Sequence, residues 1–164
     1  MVEILTIPYV HFQDWDILQL FLERRKNPPY KISGNLDLSH SSIESLGNLE
    51  SVDGKLNLYN SSIKSLGNLK SVGGWLNLYN SSIESLGNLK SVGGYLDLRS
   101  TPIESLGNLK SVGGNLDLDR SSIESLGNLK SVGLDLFLRE TPISKKYTEE
   151  EIRSMVNVGG DVYL

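Results

Sequence analysis

Apolar residues recur along this chain with a period longer than that of a helix or a single strand. From Leu36 to Asp135 the pattern L-x-L-x-x-[ST]-x-I-x-S-L-G-N-L-x-S-V-x-x-x runs five times without insertion or deletion, so that Leu36, Leu56, Leu76, Leu96 and Leu116 stand 20 residues apart. Self-similarity at a fixed spacing predicts a solenoid, in which each unit buries its apolar side against the next. In one copy the apolar positions are Leu76, Leu78, Ile83, Leu86, Leu89 and Val92. Leu76 and Leu78 have the period-2 spacing of a short strand, which predicts a parallel sheet of stacked strands with Asn77 on the outer face. The return from Ile83 to Gly94 is too short and too rich in glycine for an ordinary helix, and predicts a 3₁₀, polyproline-like or irregular path.

Small hydroxyls close each strand at Ser41, Ser61, Ser81, Thr101, Ser121 and Thr141, which predicts a buried hydroxyl ladder satisfying corner backbone groups. Asn48, Asn68, Asn88, Asn108 and Asn128 are candidates for the same work on the return side. The paired glycines have two exceptions, Asp53 at the first site and Leu134 at the second; Leu resists positive φ, so only the first site remains a candidate for left-handed backbone.

Solenoid ends need dedicated covers. Val2 to Ile7 predicts a strand, and Asp14 a cap for a helix running to about Lys26, with Trp15, Ile17, Leu18, Phe21 and Leu22 as its apolar face. At the other end Thr148 and Glu151 form a capping-box signal for a helix ending near Asn157. Val158 to Leu164 then restores the strand wording, with Val162 and Leu164 expected in core places and the helix expected to cover the last rung. The expected organisation is a single domain over 1–164: a cap with a helix over 1–31, repeats over 32–144, and a closing helix plus strand over 145–164.

The wording L-x-L-x-x-S-x-I-x-S-L-x-N-L resembles the leucine-rich repeat, especially its short isoleucine-containing class, over residues 32 to 144. The copies depart from that family in their length of 20 and in placing Ser or Thr where the family has its ladder asparagine. More loosely, S-L-G-N-L-x-S-V-G-G with a closing helix is similar to leucine-rich repeat proteins of bacteriophage and bacterial genomes. The fold class expected is an α+β repeat, a leucine-rich-repeat-like parallel β-solenoid with short strands, non-helical returns and helical caps at both ends.

A net charge of -4 supplies no attraction for nucleic acid. With no Cys, thiolate metal sites and disulfides are excluded. No signal-peptide pattern or span-length apolar run is present, so the expectation is a soluble protein of the cytoplasm, or of a host's cytoplasm if viral, with no membrane partner. His11 and His40 are the only imidazoles, and no phosphate loop or H-E-x-x-H motif occurs; the expectation is a non-enzyme without cofactor or metal.

The copies differ almost only on the strand face, which makes that face the candidate binding surface. Lys55, Tyr59, Trp75, Asn77, Tyr79 and Tyr95 lie on adjacent strands about 4.8 Å apart, predicting one aromatic patch with Arg99 at its edge. Beyond it Asp97, Asp117, Asp119, Phe137 and Arg139 give a mixed-charge region suited to a selective partner. Tyr, Trp and Arg dominate interface hot spots, and the family resemblance implies the same use; the expected function is a non-catalytic module, an inhibitor or adaptor, that binds another protein as a monomer. Two alternatives stay open here: a carbohydrate-binding solenoid stacking sugars on the Trp and Tyr rings beside Asn57, Asn77, Asn60 and Asn80, and a structural, self-assembling repeat. Lys70, Lys90, Lys110 and Lys130 form a further column, read as a solubilising face whose field the Glu84, Glu104 and Glu124 column cancels.

Overall fold

The structure is a computed structural model that describes residues 4–8 and 15–164. In chain order the elements are β1 (Leu5–Ile7), α1 (Trp15–Glu23), β2 (Tyr30–Ile32), β3 (Leu36–Asp37), β4 (Leu49–Val52), β5 (Leu56–Asn57), β6 (Ser71–Val72), β7 (Leu76–Asn77) and β8 (Ser91–Val92). They continue as β9 (Leu96–Asp97), β10 (Ser111–Val112), β11 (Leu116–Asp117), β12 (Ser131–Val132), β13 (Leu136–Phe137), α2 (Glu149–Met155), β14 (Asn157–Val158) and β15 (Val162–Tyr163). Strand β7 pairs in parallel with β5 and β9, Leu76 opposite Leu56 and Leu96, so the sequence period is the sheet register.

The return path is non-helical, as expected, but it carries a strand of its own. Each Ser-Val dipeptide pairs with the next, Val72 opposite Val92 and Val92 opposite Val112, giving a second parallel sheet. The fold is therefore a parallel β-solenoid with two sheets, β1-β2-β4-β6-β8-β10-β12-β14 and β15-β13-β11-β9-β7-β5-β3. Two residues per strand give too little period-2 signal to be read from the sequence; the pairing comes from identical copies stacked in register. Between the sheets Leu76, Leu78, Ile83, Leu86, Leu89 and Val92 are buried, as are their counterparts in the other copies except Ile43, which is half-buried. Each contributes about 1.5 to 3 kcal/mol before the entropy of ordering is subtracted.

The corner hydroxyls are buried, but they bond within their own rung. Ser61 Oγ donates to the Leu58 carbonyl at 2.8 Å, and Ser41, Thr101, Ser121 and Thr141 repeat the bond three residues back. Among the described residues, Ser81 Oγ is the one corner hydroxyl without a partner. The asparagines of the return side are the ones that run from rung to rung: Asn68 Nδ2 donates to Asn48 Oδ1 at 3.0 Å, and Asn128 Nδ2 to the Gly107 carbonyl at 2.9 Å. Left-handed backbone is found elsewhere than the paired glycines, at Gly47, Gly67, Gly87, Gly107 and Gly127 and at His40, Asn60, Asn80, Ser100, Arg120 and Glu140 after each strand. The paired glycines answer to contact instead. A Cβ on Gly93, Gly113 or Gly133 would collide with the carbonyl oxygen of the preceding rung, whereas at Gly114 the nearest atom lies 3.0 Å away, in keeping with Leu134 at the next copy of that second site.

At the N-terminal end β1 pairs with β2, and α1 stops at Glu23 because Lys26 and Asn27 turn left-handed at φ 65° and 51°. The proposed cap Asp14 lies outside the described residues. Trp15 and Leu22 are buried and Leu18 half-buried, but Ile17 and Phe21, expected on the same face, are exposed. The side turned to the repeats runs through Gln19, whose amide donates to Tyr30 Oη at 3.2 Å, while Tyr30 donates to the Leu46 carbonyl at 2.8 Å. Burial pushes the Tyr30 phenol up to about 12, against the Gln19 bond, from its ordinary value of 10.0. The folded state holds this proton more tightly than the unfolded chain, so stability falls as pH rises from about 10 to about 12, by up to about 3 kcal/mol. Urea titrations across that range should register the loss, and Tyr30→Phe should remove its share, leaving the smaller decline that the raised Tyr95 phenol contributes, while costing about 1 kcal/mol at neutral pH through the lost bonds to the Leu46 carbonyl and from Gln19. A decline as steep in the Phe variant would point to another group.

At the C-terminal end a 3₁₀ turn, Ile143–Lys145, leads to α2, where Thr148 and Glu151 form the reciprocal capping box. The helix takes the place of the return path, so β14 and β15 pair 26 residues out, Ser131 with Asn157 and Leu136 with Val162. Val162 is buried, but Leu164 is 41% exposed, since no described rung packs over it. Ile152 of α2 is buried in the core.

Candidate interaction face

On the outer side of the leucine sheet three columns of side chains run along the solenoid, two residues apart on each strand. The central column is largely structural. Asp37, Asn57, Asn77, Asp97 and Asp117 each turn one side-chain oxygen back to accept the N–H two residues on, at 3.0 to 3.2 Å. This local turn is why the position is Asp or Asn in those five rungs. Phe137 breaks the rule, and there the Arg139 N–H is received by Asp119 of the rung below at 2.8 Å.

The predicted single aromatic patch is divided by that column. On one side His40 meets Tyr59 edge-on with centroids 4.8 Å apart, Tyr59 and Tyr79 stack at 5.5 Å, and the Arg99 guanidinium lies 4.8 Å from the Tyr79 ring. Beyond Asn57 and Asn77, Lys55 Nζ stands 5.5 Å from the Trp75 ring, over a shallow cavity of about 240 Å³ lined by Asn35, Leu36, Asp37, Lys55, Asn57 and Trp75. Tyr95 turns the other way, its hydroxyl donating to Asp117 at 3.3 Å, with burial and then the Asp97 and Asp117 charges pushing its ionisation well up.

In the charged half the mixed charges are largely paired with one another. Asp97 is buried, receiving Arg99 Nε at 2.9 Å and a terminal guanidinium nitrogen at 2.6 Å, while Arg99 also reaches Asp117 at 3.5 Å. Those bonds to Asp97 hold Arg99 firmly charged. Burial, and the neighbouring Asp119 and Asp97 charges against the Asp119 N–H and Arg99, leave Asp117 raised above its usual range. Asp119, also buried, pairs with Arg139 at 2.9 Å. A cavity of about 250 Å³ opens between Arg99, Asp117, Asp119, Arg120, Arg139 and Glu140.

The chain matches no family model, no curated protein and no solved structure. What the face can do is therefore read from its own side chains. Among the described residues no group of three or more His, Asp or Glu side chains is placed to hold a metal ion, and no helix is long and apolar enough to cross a membrane. One member of the face escaped the sequence reading: Tyr163 stacks on Phe137 at 4.7 Å, with the Arg139 guanidinium 5.6 Å from the Tyr163 ring. Aligning D-V-Y-L with D-L-F-L across the helical interruption would have found it.

Proposed function

We propose that this solenoid is a non-catalytic interaction module of the leucine-rich-repeat kind, acting as an inhibitor or adaptor, that binds another protein through the outer side of its leucine sheet. The observation that carries the reading is the His40, Tyr59, Tyr79, Arg99 stack, a row of rings and one guanidinium fixed before any partner arrives. Preorganised aromatic and Arg side chains lose little freedom on binding, and so contribute more of their buried area to affinity. The same stack disfavours sugars: Tyr59 and Tyr79 turn their faces to each other, and Asn57 and Asn77 spend an amide oxygen on the backbone.

Trp75→Ala combined with Tyr79→Ala should abolish retention of a protein partner, a loss of about 100-fold or more in affinity, without changing the thermal midpoint by more than a few degrees. Mass spectrometry of proteins retained from host lysate by the parent and by the double variant would read this out. Equal retention by both would remove the face from consideration, and a silent parent with hits on a glycan array would favour the carbohydrate reading.

A further inference from the structure

Helix α1 presents an apolar surface to solvent. Ile17, Leu20 and Phe21 are 67%, 49% and 41% exposed. Their i, i+3, i+4 spacing puts them on one face, opposite the Trp15, Leu18 and Leu22 side that meets the core. Among the described residues from Leu36 to Asp135 one large apolar side chain is exposed, Leu134 at 56%, whereas the nine residues of α1 expose three.

We propose that this face joins two copies of the chain in an antiparallel α1–α1 pair, giving a two-fold symmetric dimer. Charge is arranged for such a contact. Asp16 stands four residues before Leu20 and Arg24 four residues after it, both exposed and, among the described residues, neither in an ion pair. With Leu20 facing its symmetry mate, Asp16 of each copy meets Arg24 of the other, so one surface is complementary to itself, as an isologous contact requires. Arg25, held 4.4 Å over the Phe21 ring, borders the apolar strip. One short helix buries little area, so the dimer is weak, in the micromolar range. It departs from the expectation of a monomer and gives the assembly two strand faces, which raises avidity for a partner that also carries two sites.

Sedimentation equilibrium over a wide concentration range should show the full chain in monomer–dimer exchange. Phe21→Asp should leave it monomeric with an unchanged melting midpoint, the side chain being exposed. Asp16→Lys and Arg24→Asp should each weaken association about tenfold. An equimolar mixture of those two variants should associate as tightly as the parent, since each then complements the other; this holds even if Phe21→Asp fails to fold. A parent that remains monomeric throughout, a dimer indifferent to both charge changes, or a mixture no tighter than its components overturns the proposal. So does a monomer that sediments with vesicles of phosphatidylcholine and phosphatidylserine, which would make the face a lipid-binding one.

Discussion

Gly113→Ala should destabilise the solenoid by about 3 kcal/mol, while Gly107→Ala in the same repeat costs only about 1 to 2 kcal/mol. The order is the reverse of what backbone conformation alone suggests. Gly107 has φ +54°, where an L residue is strained, yet nothing lies within 4 Å of a Cβ built there. Gly113 needs no left-handed backbone, but its Cβ would meet the Gly93 carbonyl, and Gly93 in turn sits on Gly73. Neither Gly93 nor Gly73 can give way, because each directly follows a strand of the Ser-Val sheet and donates its N–H to the valine carbonyl of the preceding rung at 2.8 Å; the strain passes to neighbouring rungs, where nearest-neighbour interfaces hold the stack together. Urea denaturation of the two variants decides the matter, and equal midpoints would mean that the stack dilates freely.

Arg99→Ala should cost about 3 kcal/mol, far more than loss of an exposed surface arginine, and should also reduce partner binding. Arg99 bridges Asp97 and Asp117, two carboxylates on adjacent rungs, and its side chain is 37% exposed while that of Asp97 is 4%. Its removal leaves a buried anion facing another, and breaking one side of such a pair is costly even where the intact pair adds little net stability. Adding Asp97→Asn should restore about half of the lost stability, since the amide still accepts the N–H two residues on. Binding should not recover, because the guanidinium over Tyr79 is gone. A double variant as unstable as Arg99→Ala would argue against electrostatic repair, and recovered binding would argue against Arg99 as a contact.

The leucines show why the rung was legible and the face only half so. Leu76 and Leu78 announce a strand by spacing, and Thr148 with Glu151 announces a helix start, because both signals are local. Asp97 and Arg99 are equally plain in the sequence, yet nothing local says that the first is buried and clasped by the second. Nor does spacing tell that Tyr59 and Tyr79 stack while Trp75, two columns away, pairs with Lys55. On α1, Ile17 and Phe21 satisfy a helical apolar pattern as well as Leu22 does; the side that meets the core is the one that buries Trp15 and Leu22 and brings Gln19 to Tyr30.

By itself the sequence determined the period, the parallel stacking of Leu-x-Leu strands, the buried corner hydroxyls and the two capping helices, because identical units of equal length can share a core only by stacking in register. The tertiary structure alone decided the second sheet on the Ser-Val positions, the role of the paired glycines, the internal pairing of Asp97 and Asp119, and the outward apolar face of α1. Those features depend on which backbone or side chain the neighbouring rung presents, and that contact has no spacing along the chain from which it could be read.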